Sequence, residues 1–366
     1  MNLEDYKTIL VEGKIEEGKT TGVIFNEVDK LIKKNENLLF LDVKKEYINN
    51  YYQILKDNDY NIITLNLDDF INSNNYNPYY LPYQYYKKGE IDKSIDLIEN
   101  VNKYIFKDEN SDPFWKESAT NLFTGLALTI IDSCDEKEFN IASVNACVDL
   151  AIKKYNDSNL IKMYLDKLEP TDPIYTLTSG SMYAPYETKS SIISVIKSKT
   201  NDYCNRPLLL SLLSNNNIDF NLKNKTAIFI ILHDNSSRFN DIANMFIEQL
   251  YFLVKNNNIP FNFILDNIDF ISTLNCLNSM LNLPLPNVKT IVATRDLECL
   301  KNLYPLTTFA NVLAKVKVND NKVIINNQEY QKEKHPIKND NPVYPKLNLE
   351  TKYFNVKEYF EKDVTK

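Results

Sequence analysis

Glycine is scarce in this 366-residue chain, which has only 6, so backbone turns that need a left-handed or crowded conformation must be concentrated where they matter. Histidine is scarcer still. His233 and His335 are the only two, which argues against a histidine-based metal site or catalytic triad. The five cysteines, Cys134, Cys147, Cys204, Cys276 and Cys299, include no CxxC pair and no histidine at metal-ligand spacing, so they read as reduced, mostly buried thiols of a cytosolic protein. No apolar run approaches the roughly 20 residues of a membrane-spanning helix, and the acidic start MNLEDYK lacks a signal-peptide pattern. The expectation is a chain soluble by itself. Arginine is limited to Arg206, Arg238 and Arg295; with lysine, asparagine and isoleucine abundant, this is the bias of an AT-rich bacterial genome rather than of a particular chemistry. With a net charge of -7 the surface as a whole repels phosphate backbones, so any contact with DNA must be local.

What the chain does have is an alternation of short β-branched runs with amphipathic stretches, the pattern of a mainly parallel sheet flanked by helices. Strands are predicted at residues 7–11, 38–41, 62–65, 227–232, 262–265 and 289–293. A helix is predicted from near Thr20, with Val23 or Ile24, Val28, Leu31 and Ile32 on one face. Another follows Asp241, with Ala243, Phe246, Ile247, Leu250 and Leu253 aligned. From about 112 to 216 long helical patterns take over, such as 117–133 and 141–155. The expected organisation is an α/β fold in which residues 1–108 and 223–330 form a nucleotide-binding domain, 109–222 an all-α insertion and 331–366 a C-terminal extension. The Asn- and Tyr-rich stretch 72–86 has no clear period and reads as an ordered loop, and 333–346 as a flexible surface segment.

Residues 13–20, Gly-Lys-Ile-Glu-Glu-Gly-Lys-Thr, match G-x-x-x-x-G-K-[ST] with a β-run before them and a helical pattern after, the context the motif requires. The glycines let the backbone curl so that amide hydrogens face a phosphate. Lys19 would reach the β and γ oxygens, Thr20 would bind Mg2+, and the helix N-terminus adds its dipole. Gly13, Glu16, Glu17, Gly18, Lys19, Thr20 and Thr21 are therefore the nucleotide-binding candidates. Three of the 6 glycines, Gly13, Gly18 and Gly22, fall within ten residues, although a chance turn before a helix is the plainer alternative. Glu16 and Glu17 place two carboxylates in a loop meant for a tetra-anion, and repulsion costs about 1 kcal/mol or more per pair near a surface. Either they point outward or nucleotide binding is weak.

The apolar run 261–265 ends in Asp266, the layout of a strand that delivers one carboxylate to Mg2+ beside such a loop. Taken alone, Asp266 and Asn267 would read as a strand-to-turn cap. In hydrolysing enzymes of this class the next residue is commonly a glutamate that polarises the attacking water, and here it is Asn267. An amide orients water but does not accept its proton, so turnover should fall by about 10² to 10⁴. Asp269 is the substitute nearest in sequence.

These motifs together resemble the TraG-type coupling proteins of type IV secretion, the conjugative DNA-transfer P-loop ATPases, along most of the chain. VEGKIEEGKTTG is followed by LLFLDVKKEY, similar to the family's strand ending in Asp-Pro-Lys-Gly-Glu, and by YNIITLNLDD, similar to its next strand. Asn77-Pro78 stands at the family's Asn-Pro. Asp112-Pro113-Phe114-Trp115 with SATNLFTGLAL resembles the opening of its all-α domain, and this is the most specific match. NFILDNIDF resembles its Walker B strand, and KTIVATRDLECLKNLY its sensor strand and helix. The resemblance implies a RecA-like domain with an all-α insertion, ATP and Mg2+ as cofactors, a homo-hexameric ring at the inner membrane, and ATP-driven transfer of DNA with bound protein. It implies a relaxase and channel proteins as partners; DNA contact is not supported by the net charge. Three departures point to a weakened motor: the family usually has glycine at Glu16, glutamate at Asn267, and glutamine in the sensor motif near Thr294 and Arg295. The family's N-terminal membrane helices are also missing, so the expected location is the cytoplasm or the inner face of the cell membrane, reached through a partner or a missing anchor.

In such a ring an arginine would reach a neighbour's γ-phosphate. Arg295, at the end of a predicted strand, faces the ligand edge of the sheet and would serve either that neighbour or its own nucleotide. Arg206 and Arg238 read as surface salt bridges. His233-Asp234, at another strand end, reads as a phosphate sensor or a satisfied surface pair. Two functional readings stand: a coupling-protein-like component with slow or no turnover, and a non-catalytic adaptor docking substrate proteins or ATPase subunits through its all-α domain. A small-molecule P-loop kinase is a third, but nothing marks an acceptor site.

Overall fold

The computed structural model describes residues 3–14, 16–107, 112–155, 158–222, 225–233, 238–319 and 321–364. In chain order come β1 (Thr8–Glu12), a π-helical turn (Thr20–Ile24) continuing into α1 (Phe25–Lys33), β2 (Leu38–Asp42), α2 (Glu46–Asp57) and β3 (Asn61–Asn66). Eight helices follow: α3 (Tyr80–Lys87), α4 (Ile91–Ile105), α5 (Pro113–Ile131), α6 (Ile141–Ile152), α7 (Leu160–Leu165), α8 (Pro173–Met182), α9 (Tyr186–Cys204) and α10 (Pro207–Ser214). The sheet resumes with β4 (Thr226–Ile231), α11 (Asn240–Asn257), β5 (Phe261–Leu265), α12 (Leu277–Asn282), β6 (Val288–Thr294) and α13 (Leu297–Leu303). It ends with β7 (Ala314–Val318), β8 (Lys322–Ile325) and β9 (Gln328–Gln331), before the terminal α14 (Val356–Val364).

The chain divides into two compact units, one of residues 3–74 and 218–346 and one of 75–217 and 347–364. The expected boundaries at 108/109 and 222/223 differ from these, and the expected C-terminal extension is split between the units. The reason is packing. α4 lays Leu97, Ile98, Val101 and Tyr104 into buried positions, and Asn102 on its inner face donates to Thr124 Oγ1 of α5 at 2.9 Å, so α3 and α4 belong with the helices after them. Of the stretch 72–86, expected as a loop, residues 80–86 are helical, the greater part of α3.

In the first unit the strand order is β3-β4-β2-β5-β6-β1-β7-β8-β9. All pairings are parallel as far as β7, and β7–β8 and β8–β9 are antiparallel. β2 and β4 are buried along their whole length, which fits their continuous apolar runs. One face packs Leu38, Phe40, Ala227, Phe229 and Ile231 against Val28, Ile48, Tyr51 and Leu55 of α1 and α2. On the other face Tyr251 of α11 meets Phe263 edge-on at 6.2 Å. Each such buried aliphatic or aromatic side chain stabilises the fold by roughly 1.5–3 kcal/mol.

Residues 333–346 have no regular secondary structure, as expected, but they are anchored. His335 N donates to Thr21 O at 3.0 Å and Asp340 N to Asn49 O at 2.7 Å. His335 Nε2 lies 2.9 Å from Asp29 Oδ2, Lys338 N donates to Asn50 Oδ1 at 2.7 Å, and Gln53 N to Asp340 Oδ2 at 2.8 Å.

In the second unit, α5 begins at Pro113 with Asp112 as N-cap, its carboxylate accepting from Phe114 N at 2.9 Å. α8 begins the same way at Asp172-Pro173. An acceptor at the cap and a proline at the first helical position satisfy the free amides of a helix start. α5 and α8 cross at Gly125, where an added Cβ would lie 2.3 Å from Thr178 Cγ2. Cys134 and Cys147 are buried free thiols here, Cys276 is another in the first unit, and burial pushes the partly buried Cys204 up to about 12. The Cys299 side chain lies outside the described residues. Among the described residues no helix is long and apolar enough to cross a membrane.

Candidate functional site

The parallel register sets the carboxyl ends of β5, β6 and β1 side by side, with Leu265 opposite Val292 and Glu12 opposite Thr294. In open α/β sheets this is the edge where ligands bind. The loop from Gly13 leaves β1 there, and each of its three glycines has its own reason. An added Cβ on Gly13 would meet Lys19 Cγ and Val318 O at 3.0 Å, Gly18 sits at φ +75°, and Gly22 is covered by the stem of Lys332 at 2.9 Å. Glu16 also occupies the left-handed region, at φ +67°, a conformation that costs a non-glycine residue roughly 1–2 kcal/mol. Ile15 lies outside the described residues.

Lys19 Nζ donates to Gly13 O at 2.7 Å and Lys14 O at 3.3 Å, which holds the ammonium across the loop. Burial lowers its proton affinity, and the carboxylates of Asp266 and Asp269 oppose that effect. Glu17 turns its carboxylate back onto the loop, accepting from Lys14 N at 2.5 Å. Glu17 O in turn accepts from Lys332 Nζ at 2.9 Å. Thr20, at the start of the π-helical turn, donates through Oγ1 to Asp266 Oδ2 at 2.7 Å. The same oxygen accepts from Tyr47 OH at 2.9 Å, and Asp266 Oδ1 accepts from Asn267 N at 2.8 Å.

A carboxylate only 1% exposed, meeting a hydroxyl beside a lysine, is a set of oxygen donors suited to a hard divalent cation held together with phosphates. The residues present therefore fit Mg2+ with a nucleotide. Thr20, Thr21, Glu16, Gly18, Lys19 and Asn267 line one cavity of about 280 Å³, joined there by Lys14, Lys44 and Glu46. A larger one, about 860 Å³, opens on the loop's other flank between Glu12, Glu17, Arg295, Asp296 and Lys317. The smaller cavity is the one that Thr20 and Lys19 line.

Of the remaining sequence candidates, Asn267 lines the smaller cavity and Arg295 the larger. Asn267 stands at φ +52°, a left-handed turn that asparagine tolerates well. Asp269 is taken up by Arg295, whose Nε donates to Asp269 Oδ2 at 2.6 Å while the guanidinium lies 5.3 Å from the Phe270 ring. Asp269 Oδ1 is buried with no hydrogen bond among the described residues. Arg206 binds Asp202 O at 2.6 Å in the second unit, and Arg238 lies over the Phe239 ring at 5.7 Å. His233 Nε2 is 3.8 Å from Asp68 Oδ1; Asp234 lies outside the described residues.

Sequence reasoning did not single out Lys44, Glu46 or Tyr47, although all three lie in the LDVKKEY stretch that follows β2. Asp42 organises them. Its Oδ2 accepts from Ile48 N at 3.0 Å and so caps α2, and burial pushes this carboxyl up to about 7 against that hydrogen bond.

The chain's sequence matches the family profile described as type IV secretory system conjugative DNA transfer over residues 4–271. No curated protein sequence matches it. Among solved structures, the conjugative coupling protein TrwB with a non-hydrolysable ATP analogue aligns at a TM-score of 0.66 and 9% identity, covering 93% of this chain and 89% of that one. TrwB with ADP and Mg2+ and the trigonal form with sulphate each align at 0.62 and 9%, covering 93% and 88%. At that identity the likeness shows the fold: a RecA-like P-loop domain with an all-α domain.

Proposed function

This chain belongs to the type IV secretion conjugative DNA-transfer family, and on that premise we propose that it is the nucleotide-binding coupling component of a conjugation or secretion system, holding Mg2+ATP at residues 13–21 and hydrolysing it slowly. The observation that carries the reading is the 2.7 Å bond between Thr20 and Asp266, two oxygen ligands 246 positions apart, the first of which lines a cavity together with Lys19. TrwB was captured with an ATP analogue and with ADP and Mg2+, the same ligand class. In this chain the loop amides and Lys19 would bind the β and γ phosphates, and Thr20 with Asp266 would hold Mg2+, which neutralises charge on the phosphate oxygens.

Tyr47 and the Asn267 amide fix the Asp266 carboxylate for that task. Asn267 orients a water without taking its proton, and Asp269 is already engaged by Arg295, so turnover is slow. A homo-hexamer, with Arg295 near the nucleotide of its own or a neighbouring subunit, and partners of the relaxase and channel type complete the reading. A place at the inner face of the membrane would then come through those partners.

The adaptor reading is favoured by one observation: the Glu17 carboxylate already occupies the Lys14 amide and competes with a phosphate. The two separate on the variant Asn267→Glu. If the site binds Mg2+ATP, restoring the carboxylate should raise turnover by about 10²-fold or more, read by phosphate release. A parent and variant that both fail to bind Mg2+ATP would leave the adaptor.

A further inference from the structure

We propose that Glu46, in the first turn of α2, is the base that takes the proton of the attacking water in this chain, in the place that Asn267 leaves empty of a carboxylate. This rests on the nucleotide-binding reading above. Glu46 lines the same cavity of about 280 Å³ as Lys19, Thr20 and Asn267. Its neighbour Tyr47 is buried and bonded to Asp266 at 2.9 Å, and Asp42 caps the helix start, so the position of residue 46 beside the cation ligands is fixed from both sides. Two other carboxylates near the loop are engaged: Glu17 holds the Lys14 amide and Asp269 holds Arg295. The Glu46 carboxylate makes no hydrogen bond or ion pair among the described residues.

Glu46 is exposed by its accessible surface, as a group that must meet a water should be, yet the atoms around its carboxyl still shield it. That shielding, followed by the charge of Asp266, raises its proton affinity, while Lys44 and Lys19 oppose the rise. A base with a raised proton affinity accepts a proton from water more readily. In the step, the water oxygen forms a bond to the γ-phosphorus as its proton passes to Glu46. The bond from that phosphorus to the bridging oxygen breaks, and its electron pair leaves on ADP.

The test compares wild type, Glu46→Gln and Glu46→Asp in thermal shift and phosphate release. The probes are Mg2+ADP, Mg2+ADP with aluminium fluoride, and Mg2+ATP. The expected result is that Glu46→Gln keeps the ADP shift but loses both the extra shift given by aluminium fluoride and about 10²-fold of turnover. Glu46→Asp should fall between the two. The inference is overturned, with nucleotide binding intact, if Glu46→Gln turns over within about threefold of wild type. It is likewise overturned if wild type shows an ADP shift but neither turnover nor an added aluminium fluoride shift. Absence of any ADP shift in wild type would instead overturn the nucleotide-binding reading, and this inference with it.

Discussion

Glu16 burdens the phosphate loop twice, by a backbone angle of +67° that glycine would adopt without strain and by a negative charge on the cavity wall. Glu16→Gly should remove both. We expect it to tighten Mg2+ADP binding by roughly tenfold, the equivalent of about 1.4 kcal/mol, measured by titration calorimetry; unchanged or weaker binding would mean that this side chain does not oppose the phosphates. Asn267 is the converse case: its φ of +52° suits asparagine, so Asn267→Glu gains a base at a cost of about 1 kcal/mol in backbone strain. Asp42 makes stability depend on pH. Its folded value of about 7 lies above the ordinary 3.8, so the folded state holds the proton more tightly and the stabilisation present below about pH 4 is lost as pH rises to 7. Asp42→Asn should flatten that part of the profile, read as urea midpoints between pH 4.5 and 7.5. At this scale the loop residues were legible from one motif, because a P-loop writes its geometry into consecutive positions. Glu46 and Tyr47 were not, since their role depends on where Asp42 starts a helix and on a carboxylate more than 200 residues away.

Among the elements, α5 and α8 depend on the absence of a side chain at Gly125, where a Cβ would approach Thr178 Cγ2 to 2.3 Å. Gly125→Val should destabilise the helical unit by about 1–3 kcal/mol, visible as a lowered Tm, whereas the same substitution at Gly180, which is helical and has open space around it, should leave Tm unchanged or slightly raised, since glycine is the poorer helix former. Strands β1 to β6 and helices α1 and α11 were legible because apolar residues repeat at the helical or strand period. β7, β8 and β9 were not: β7 alternates buried and exposed residues in AKVKV, and β9 carries no fully buried residue, so neither resembles the apolar runs of the central sheet. The Asp-Pro motif that gave the resemblance its most specific point is a helix start. The sequence of the strap after β9 reads as a flexible surface segment and gives no sign of its tethers, since the ties to Thr21, Asn49 and Asn50 are backbone and amide bonds that leave no periodic trace.

For the whole molecule, nine strands among the described residues gather the ends of β1, β5 and β6 at one edge, and that arrangement explains how a net charge of -7 is compatible with a phosphate site. The field that matters is local, made by loop amides, a helix start and Lys19. The sequence pattern changes from strand-rich to helical near residues 108 and 222, whereas the compact units follow contacts that helical periodicity cannot reveal. If this edge of the sheet holds a Mg2+ nucleotide, thermal unfolding with Mg2+ADP reads it out without turnover. At 100 times the dissociation constant the ligand should stabilise the wild-type protein by about 2.7 kcal/mol, and Lys19→Ala should abolish that gain. A wild-type transition that does not move, or a Lys19→Ala variant that gains as much as its parent, would contradict it.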